Sequence, residues 1–213
     1  MSETITLSDL DLAALLCSKV CHDIISPVGA ITNGLEVLDE DGGEDMREFA
    51  MDLIHKSARQ ASAKLQFARL AFGAAGSAGA EVDLADAENV ATGYMAGEKA
   101  DLTWSAPRLL VPKNKVKLLL NLVLIALSAI PRGGMIDVTY EGDAASPVIT
   151  LRASGPHARI PPGVEDLLAG QSTDGSADAH SIQQVYAGML ARASGMSISV
   201  TEDNEDILFV ART

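Results

Sequence analysis

The feature that most constrains this chain is a small or apolar residue at every third or fourth position, sustained without a break for four heptads. Leu10, Ala14, Cys17, Cys21, Ile24, Val28, Ile31, Leu35 and Leu38 carry it. That spacing is the seam of a coiled coil, so it predicts one long helix over residues 8–40. Ser8 suits the N-cap, and Asp9 and Asp11 fall in the first turn, where the helix dipole favours acids. Asp39 to Asp45, with Gly42 and Gly43, breaks the pattern. A second run over residues 44–72 repeats it through Met51, Ile54, Ala58, Ala61, Leu65, Ala68 and Phe72. Two long helices and a short turn make an antiparallel hairpin over 1–73. A lone hairpin cannot cover both of its faces, so the pattern predicts a homodimer that completes a four-helix bundle.

Gly73 to Ala80 (GAAGSAGA) has no periodicity and reads as a linker, set at 74–81. Beyond it, over 82–213, strand and helix patterns mix. Candidate strands are Leu102–Trp104, Met135–Tyr140, Val148–Leu151, Ser197–Val200 and Ile207–Val210. Candidate helices are Leu84–Glu98, Lys115–Ile130 and Ser181–Ala193. This is an α+β unit, with helices on one face of a mostly antiparallel sheet.

The net charge of −13 divides as −6 up to residue 80 and −7 after it, so neither part is a basic nucleic-acid module. Glu3, Asp9 and Asp11 stand where a signal peptide would carry lysines. The longest apolar run, Leu118 to Ile130, is too short to span a bilayer. Cys17 and Cys21, four apart on a helix, fit neither a disulfide framework nor a zinc site. The expectation is a cytoplasmic protein with reduced cysteines and no membrane or nucleic-acid partner.

Of the four histidines, His55, His157 and His180 have no distinctive setting, and no metal cluster or Ser-His-Asp triad can be argued from spacing. His22 differs. With Leu10 at d it falls at b, so its imidazole is expected to point away from the seam. Asp23 follows, Ser26 lies one turn on, and Pro27 interrupts the helix hydrogen bonding five residues later. Gly29, one heptad below, leaves room for a partner to approach.

The series His22-Asp23-x-x-Ser26-Pro27-Val28 resembles the H-box of dimeric histidine kinases, which lies on the first helix of a hairpin. The likeness extends along the chain. Asn121-Leu122-Val123-Leu124-Ile125-Ala126 resembles the kinase N-box. Ala153-Ser154-Gly155-Pro156, followed by Ile160-Pro161-Pro162, resembles the first glycine box. Ile182-Gln183-Gln184-Val185 and Ala193–Ile198 stand where kinases have the second glycine box and the elements after it. The resemblance implies a fold of α + α/β type. A hairpin forms the dimeric bundle, and a C-terminal α/β sandwich resembles the Bergerat-type ATPase domain of histidine kinases.

The departures from that pattern carry the function. Ile125 replaces the asparagine that holds Mg²⁺ and offers no oxygen ligand. Ala153 replaces the aspartate that reads adenine, and His157 replaces a glycine. Ala179-His180-Ser181-Ile182 lacks the glycines that let backbone amides close on phosphates. A kinase-like chain that keeps the histidine and loses the nucleotide site resembles the ChpT-type histidine phosphotransferases of alphaproteobacterial cell-cycle phosphorelays.

That resemblance implies a relay. A CckA-like hybrid kinase receiver would donate, His22 would carry the phosphoryl group, and CtrA-like and CpdR-like response regulators would accept it. Asp23 would fix the imidazole tautomer, and Ser26 would orient water or the phosphoryl group. Mg²⁺ would come with the receiver, leaving this chain no cofactor of its own. Docking would involve Leu15, Leu16, Lys19, Ile25, Gly29, Lys56 and Arg59, with Lys64 in the same basic stripe. Arg108, Lys113, Lys115 and Lys117 would be relics of the nucleotide site, and residues 157–180 a mobile stand-in for the ATP lid. Two other readings stay open on sequence alone: an active dimeric histidine kinase, and a non-catalytic module that binds receivers.

Overall fold

The structure, a computed structural model, describes residues 2–40, 43–73 and 80–213. The expected helix breaker Gly42 and most of the expected linker lie outside the described residues. A two-residue strand, β1 (Glu3–Thr4), precedes the hairpin of α1 (Asp9–Asp39) and α2 (Glu44–Ala71). Ser8 caps α1, its hydroxyl oxygen accepting the Asp11 N–H at 3.1 Å. The helix then runs unbroken through Pro27. A proline has no N–H to give, so the helix loses the bond to the Asp23 carbonyl one turn back.

The hairpin does not pack on the expected seam. Ile24, Ile31 and Leu38 are half-buried, but Leu10, Ala14, Cys17, Cys21, Val28 and Leu35 are exposed. The buried positions of α1 are Pro27 and Gly34, one heptad apart. A Cβ on Gly34 would stand 2.7 Å from Ile54 Cγ1 and 3.2 Å from the Ala50 carbonyl oxygen, so glycine is what lets the helices close here. Small residues therefore set the contact stripe, and the larger apolar stripe is left on the surface.

The C-terminal unit follows as β2 (Glu81–Asp83), α3 (Leu84–Met95), β3 (Ala100–Ser105), β4 (Leu110–Pro112) and α4 (Lys113–Ala129). It continues as β5 (Gly134–Glu141), β6 (Val148–Ser154), α5 (Val164–Ala169), β7 (Gln171–Ser172), α6 (Ile182–Ala193), β8 (Ser197–Asp203) and β9 (Asp206–Arg212). Five strands form one sheet in the order β3-β5-β6-β9-β8, parallel only between β3 and β5. Along β5, β6 and β9 the side chains alternate. Ile136, Val138, Ile149, Leu151, Ala153, Ile207 and Phe209 point into the core. The other face is polar: Thr103 donates to Asp137, and Arg152 bridges Asp203 and Asp206. Helix α4 lies against the sheet with α6 packed beside it, and thirteen of its seventeen residues are buried. This is the two-layer α+β arrangement read from the pattern.

The hairpin and this unit share one core. Phe67 and Ala71 of α2 belong to it, the Phe67 and Tyr94 rings stand 4.7 Å apart, and Asn121 Nδ2 donates to the Ala71 carbonyl at 3.3 Å. Residues 157–180, expected as a mobile loop, contain α5 and β7. Strand β7 pairs antiparallel with β1, the Ile5 N–H donates to the Gly170 carbonyl, and Arg192 donates to the Leu168 carbonyl. The N-terminal segment thus straps this stretch to the base of α1. By length and composition α1 is apolar enough to cross a membrane, though it packs along α2 as half of the hairpin.

Candidate functional site

His22 sits mid-way along α1, exposed, and among the described residues neither of its ring nitrogens has a hydrogen-bond partner. The helical repeat aligns Ile25, Ser26 and Gly29 with it along one face. Ile25 is 69% exposed, Ser26 is exposed, and a Cβ on Gly29 would meet nothing within 4 Å. An open strip therefore runs one turn and more beyond the imidazole. Leu15 and Leu16 are half-buried, while Lys56 and Arg59 are exposed on α2.

Asp23 does not hold the imidazole. Both its oxygens are taken by the Lys19 ammonium, at 2.7 and 2.5 Å, one helical turn back on the side away from the open strip. Lys19, expected on the outer face, is consequently part-buried and paired. Lys64, expected in a free basic stripe, is also spent. It bridges Glu98 at 3.2 Å and lies over the Tyr94 ring, 5.2 Å from its centroid. The Tyr94 hydroxyl stays protonated far above its ordinary range, first through burial and then through the carboxylates of Asp23 and Glu98. Lys64 thus ties α2 to Tyr94 of α3 and to Glu98 just after it, while the Lys19–Asp23 pair lies within α1.

Sequence reasoning missed what stands in front of His22. The His180 ring, just before α6, lies 6.1 Å away, centroid to centroid, tilted by 38°. Asp178 builds the turn that presents it, accepting from the backbone N–H groups of His180 and Ser181 and from the Ser181 hydroxyl. The pairing of β1 with β7 and the packing of α6 on α4, α5 and α1 bring this stretch here, and contacts between distant segments leave no periodic signal.

The positions that resemble a nucleotide site are filled. Asn121, Ile125 and Ala153 are 0%, 1% and 0% exposed. Asn121 donates to the Lys117 and Ala71 carbonyls, and Gln183 of α6 donates to the Asn121 carbonyl. Lys115 donates to the carbonyls of Ala144 and Ala145 at 2.8 Å, and Lys117 lies beside the Tyr186 hydroxyl. His157 is exposed and keeps a left-handed backbone, φ 62°, which costs a side-chain-bearing residue roughly 1 kcal/mol. Among the described residues no group of three or more His, Cys, Asp or Glu is arranged to hold a metal ion.

Residues 84–206 match the family model described as the histidine phosphotransferase C-terminal domain. The chain belongs to the histidine phosphotransferase family. It is 56% identical, over 99% of its length and 100% of the relative's, to the protein phosphotransferase ChpT of Brucella abortus. A solved structure described as a bacterial phosphotransferase superposes with a TM-score of 0.90 at 53% identity, covering 98% of both chains. Histidine kinases align more loosely: the full-length ShkA structure with AMPPNP covers 97% of this chain and 46% of that one, at 16% identity and a TM-score of 0.49. Membership makes histidine phosphotransfer within a phosphorelay the activity of this fold.

Proposed function

We propose that His22 is the phosphoryl carrier of a two-step relay between receiver domains. In the first step a ring nitrogen of neutral His22 forms a bond to phosphorus while the bond from phosphorus to the donor receiver's aspartate breaks, its electron pair leaving with the carboxylate. The far ring nitrogen keeps its proton. In the second step an acceptor aspartate takes the phosphoryl group and the electron pair of the P–N bond returns to the ring. The observation that carries this reading is the exposed, unbonded imidazole at the head of an open strip formed by Ile25, Ser26 and Gly29.

The donor is a CckA-like hybrid-kinase receiver, and the acceptors are CtrA-like and CpdR-like response regulators, which places the protein in a cytoplasmic cell-cycle phosphorelay. The likeness to ChpT supports that choice. Ile25, Ser26, Gly29, Lys56 and Arg59 receive the receiver, with Leu15 and Leu16 shaping the groove from below. Lys19 and Asp23 act as a pair that sets the helix surface beneath His22. Asp23 is the carboxylate beside His22 and both its oxygens are occupied, so the residues present do not suit a metal ion; Mg²⁺ belongs to the receiver's own acidic pocket.

The chain does not bind ATP or phosphorylate itself. The burial of Asn121, Ile125 and Ala153 supports this. It works as a homodimer. Eight of the eleven large hydrophobic side chains exposed among the described residues lie on α1 and α2, including Leu10, Val28, Leu35, Met51 and Leu65. A face of that size fits a second hairpin.

The test is γ-labelled ATP with the purified chain, alone and with a hybrid kinase and its receiver. Label is expected only with the phosphorylated receiver, and not in His22→Ala. Label from ATP alone would mean an active kinase; label passing through folded His22→Ala would leave a receiver-binding module.

A further inference from the structure

The ring of His180 is the polar side chain that the C-terminal unit brings to the face of His22, and nothing in the relay described above uses it. The two rings are separated by 6.1 Å at their centroids and make no direct hydrogen bond. At that separation the rings are neighbours, close enough for an N–H of one to reach an oxygen of a phosphoryl group carried on the other. His180 is exposed, so its ring is free to turn toward such a group. Its backbone is not free: the Asp178 carboxylate takes the N–H groups of His180 and Ser181 at 2.9 and 2.8 Å, and the Ile182 N–H donates to the Asp178 carbonyl. The turn in turn rides on α6, which packs against α1. The backbone that bears the ring is therefore held at a fixed station beside His22, while the ring itself takes no part in holding the fold.

We infer that His180 is the second wall of the phosphoryl site: its imidazole donates a hydrogen bond to an oxygen of the phosphoryl group carried on His22. This rests on His22 being the carrier. An N–H donor facing a charged phosphoryl oxygen stabilises the phosphohistidine between the two transfers. The same bond draws charge off the oxygens as the group leaves or arrives in line. No bond to His180 forms or breaks, and no proton need leave it. The contact is made by this chain alone, so it acts during the interval when no receiver is docked and the phosphohistidine faces water.

The experiment uses the full chain with phosphoramidate, a small phosphoryl donor that needs no receiver, and follows the phosphohistidine by ³¹P NMR in metal-free buffer. Wild type is expected to show one phosphohistidine resonance, absent in His22→Ala. His180→Ala is expected to shift that resonance and to shorten its hydrolytic lifetime about tenfold or more, the worth of one hydrogen bond to a charged group. His180→Asn, which keeps an N–H donor, is expected to recover most of the lifetime. Unchanged lifetime and resonance in His180→Ala, with His22→Ala still blank, would overturn this inference and leave the carrier assignment standing. Modification surviving in His22→Ala would overturn the carrier assignment and this with it. Circular dichroism of His180→Ala checks that the chain keeps its helix content.

Discussion

Helices α1 and α4 are both rich in apolar residues, yet α1 buries two of its thirty-one residues and α4 thirteen of its seventeen. Helix α4 lies between a sheet and other helices, so it has no wet face to spare. Its asparagine and lysines survive only by donating to nearby carbonyls and a hydroxyl. Helix α1 packs along α2 and touches α6, but it buries fully only Pro27 and Gly34 and leaves much of its circumference to solvent. The same composition thus becomes a core in one region and an exposed surface in the other. What differs is the number of neighbouring layers.

The sharpest way to break that contrast is to charge the open stripe of α1. Val28→Glu together with Leu35→Glu changes two side chains that are 47% and 50% exposed in the single chain, so the fold of each chain should keep its helix content. If a second hairpin covers them, each dimer buries four new carboxylates. Like charges brought together at an interface cost several kcal/mol, which weakens association by roughly a thousandfold. Sedimentation at micromolar concentration is expected to change from dimer to monomer. An unchanged oligomer would mean that the stripe is open in the assembly as well.

A second comparison needs two positions on one helix. Phe67 and Leu65 are two residues apart on α2, yet Phe67 is 1% exposed and Leu65 is 51% exposed. Phe67 packs on Tyr94 and joins the hairpin to the C-terminal core. Phe67→Ala should cost about 3–5 kcal/mol, and Leu65→Ala under about 0.5 kcal/mol when both are placed in the Val28/Leu35 double variant. Urea denaturation reads both. Equal costs would show that the two faces of α2 are not divided as the burial suggests.

Much of this was legible in the sequence, for identifiable reasons. The four-three spacing located both long helices, because that periodicity reflects one buried face, and the five strands of the main sheet were located as short stretches where the helical pattern gives way. The same spacing misled about which stripe packs. Large apolar residues such as Leu10 and Leu35 look like a seam, and nothing local says that Pro27 and Gly34 make the closer contact. His22 was legible through its neighbours in the chain. His180 was not, because its role depends on a strand pair between residues 3–4 and 171–172 that is too short to leave a pattern. Lys64 read as a free charge because its partner Glu98 is brought to it only by the packing of α2 on the C-terminal unit, whereas the Lys19–Asp23 pair is an i,i+4 contact within α1 that the spacing alone could have shown.

The smallest expected effect lies in the C-terminal core and is read through pH. Burial, helped by the Asp143 carboxylate, pushes the Tyr140 phenol up to about 12, above the ordinary value near 10 of an unfolded chain. Folding therefore favours the neutral phenol. That contribution is fully present below about pH 10 and is lost as pH rises through the folded value. Tyr186 and Tyr94 are shifted in the same direction, Tyr186 by burial and Tyr94 by burial with Asp23 and Glu98. Lys117 runs the other way. Burial, then Lys113, lowers its pKa, so its cost is present while it is charged and is relieved as pH rises toward the ordinary lysine value. Urea midpoints between pH 8.5 and 11 should therefore fall in the wild type and fall less in Tyr140→Phe. The gap should be roughly 1 kcal/mol or less, because the hydroxyl lies beside the Asp143 loop, where solvent screens the charge. Identical slopes in the two proteins would mean that the Tyr140 hydroxyl ionises in the folded state as freely as in the unfolded one, and that the core reaches less far toward that loop than its side-chain burial implies.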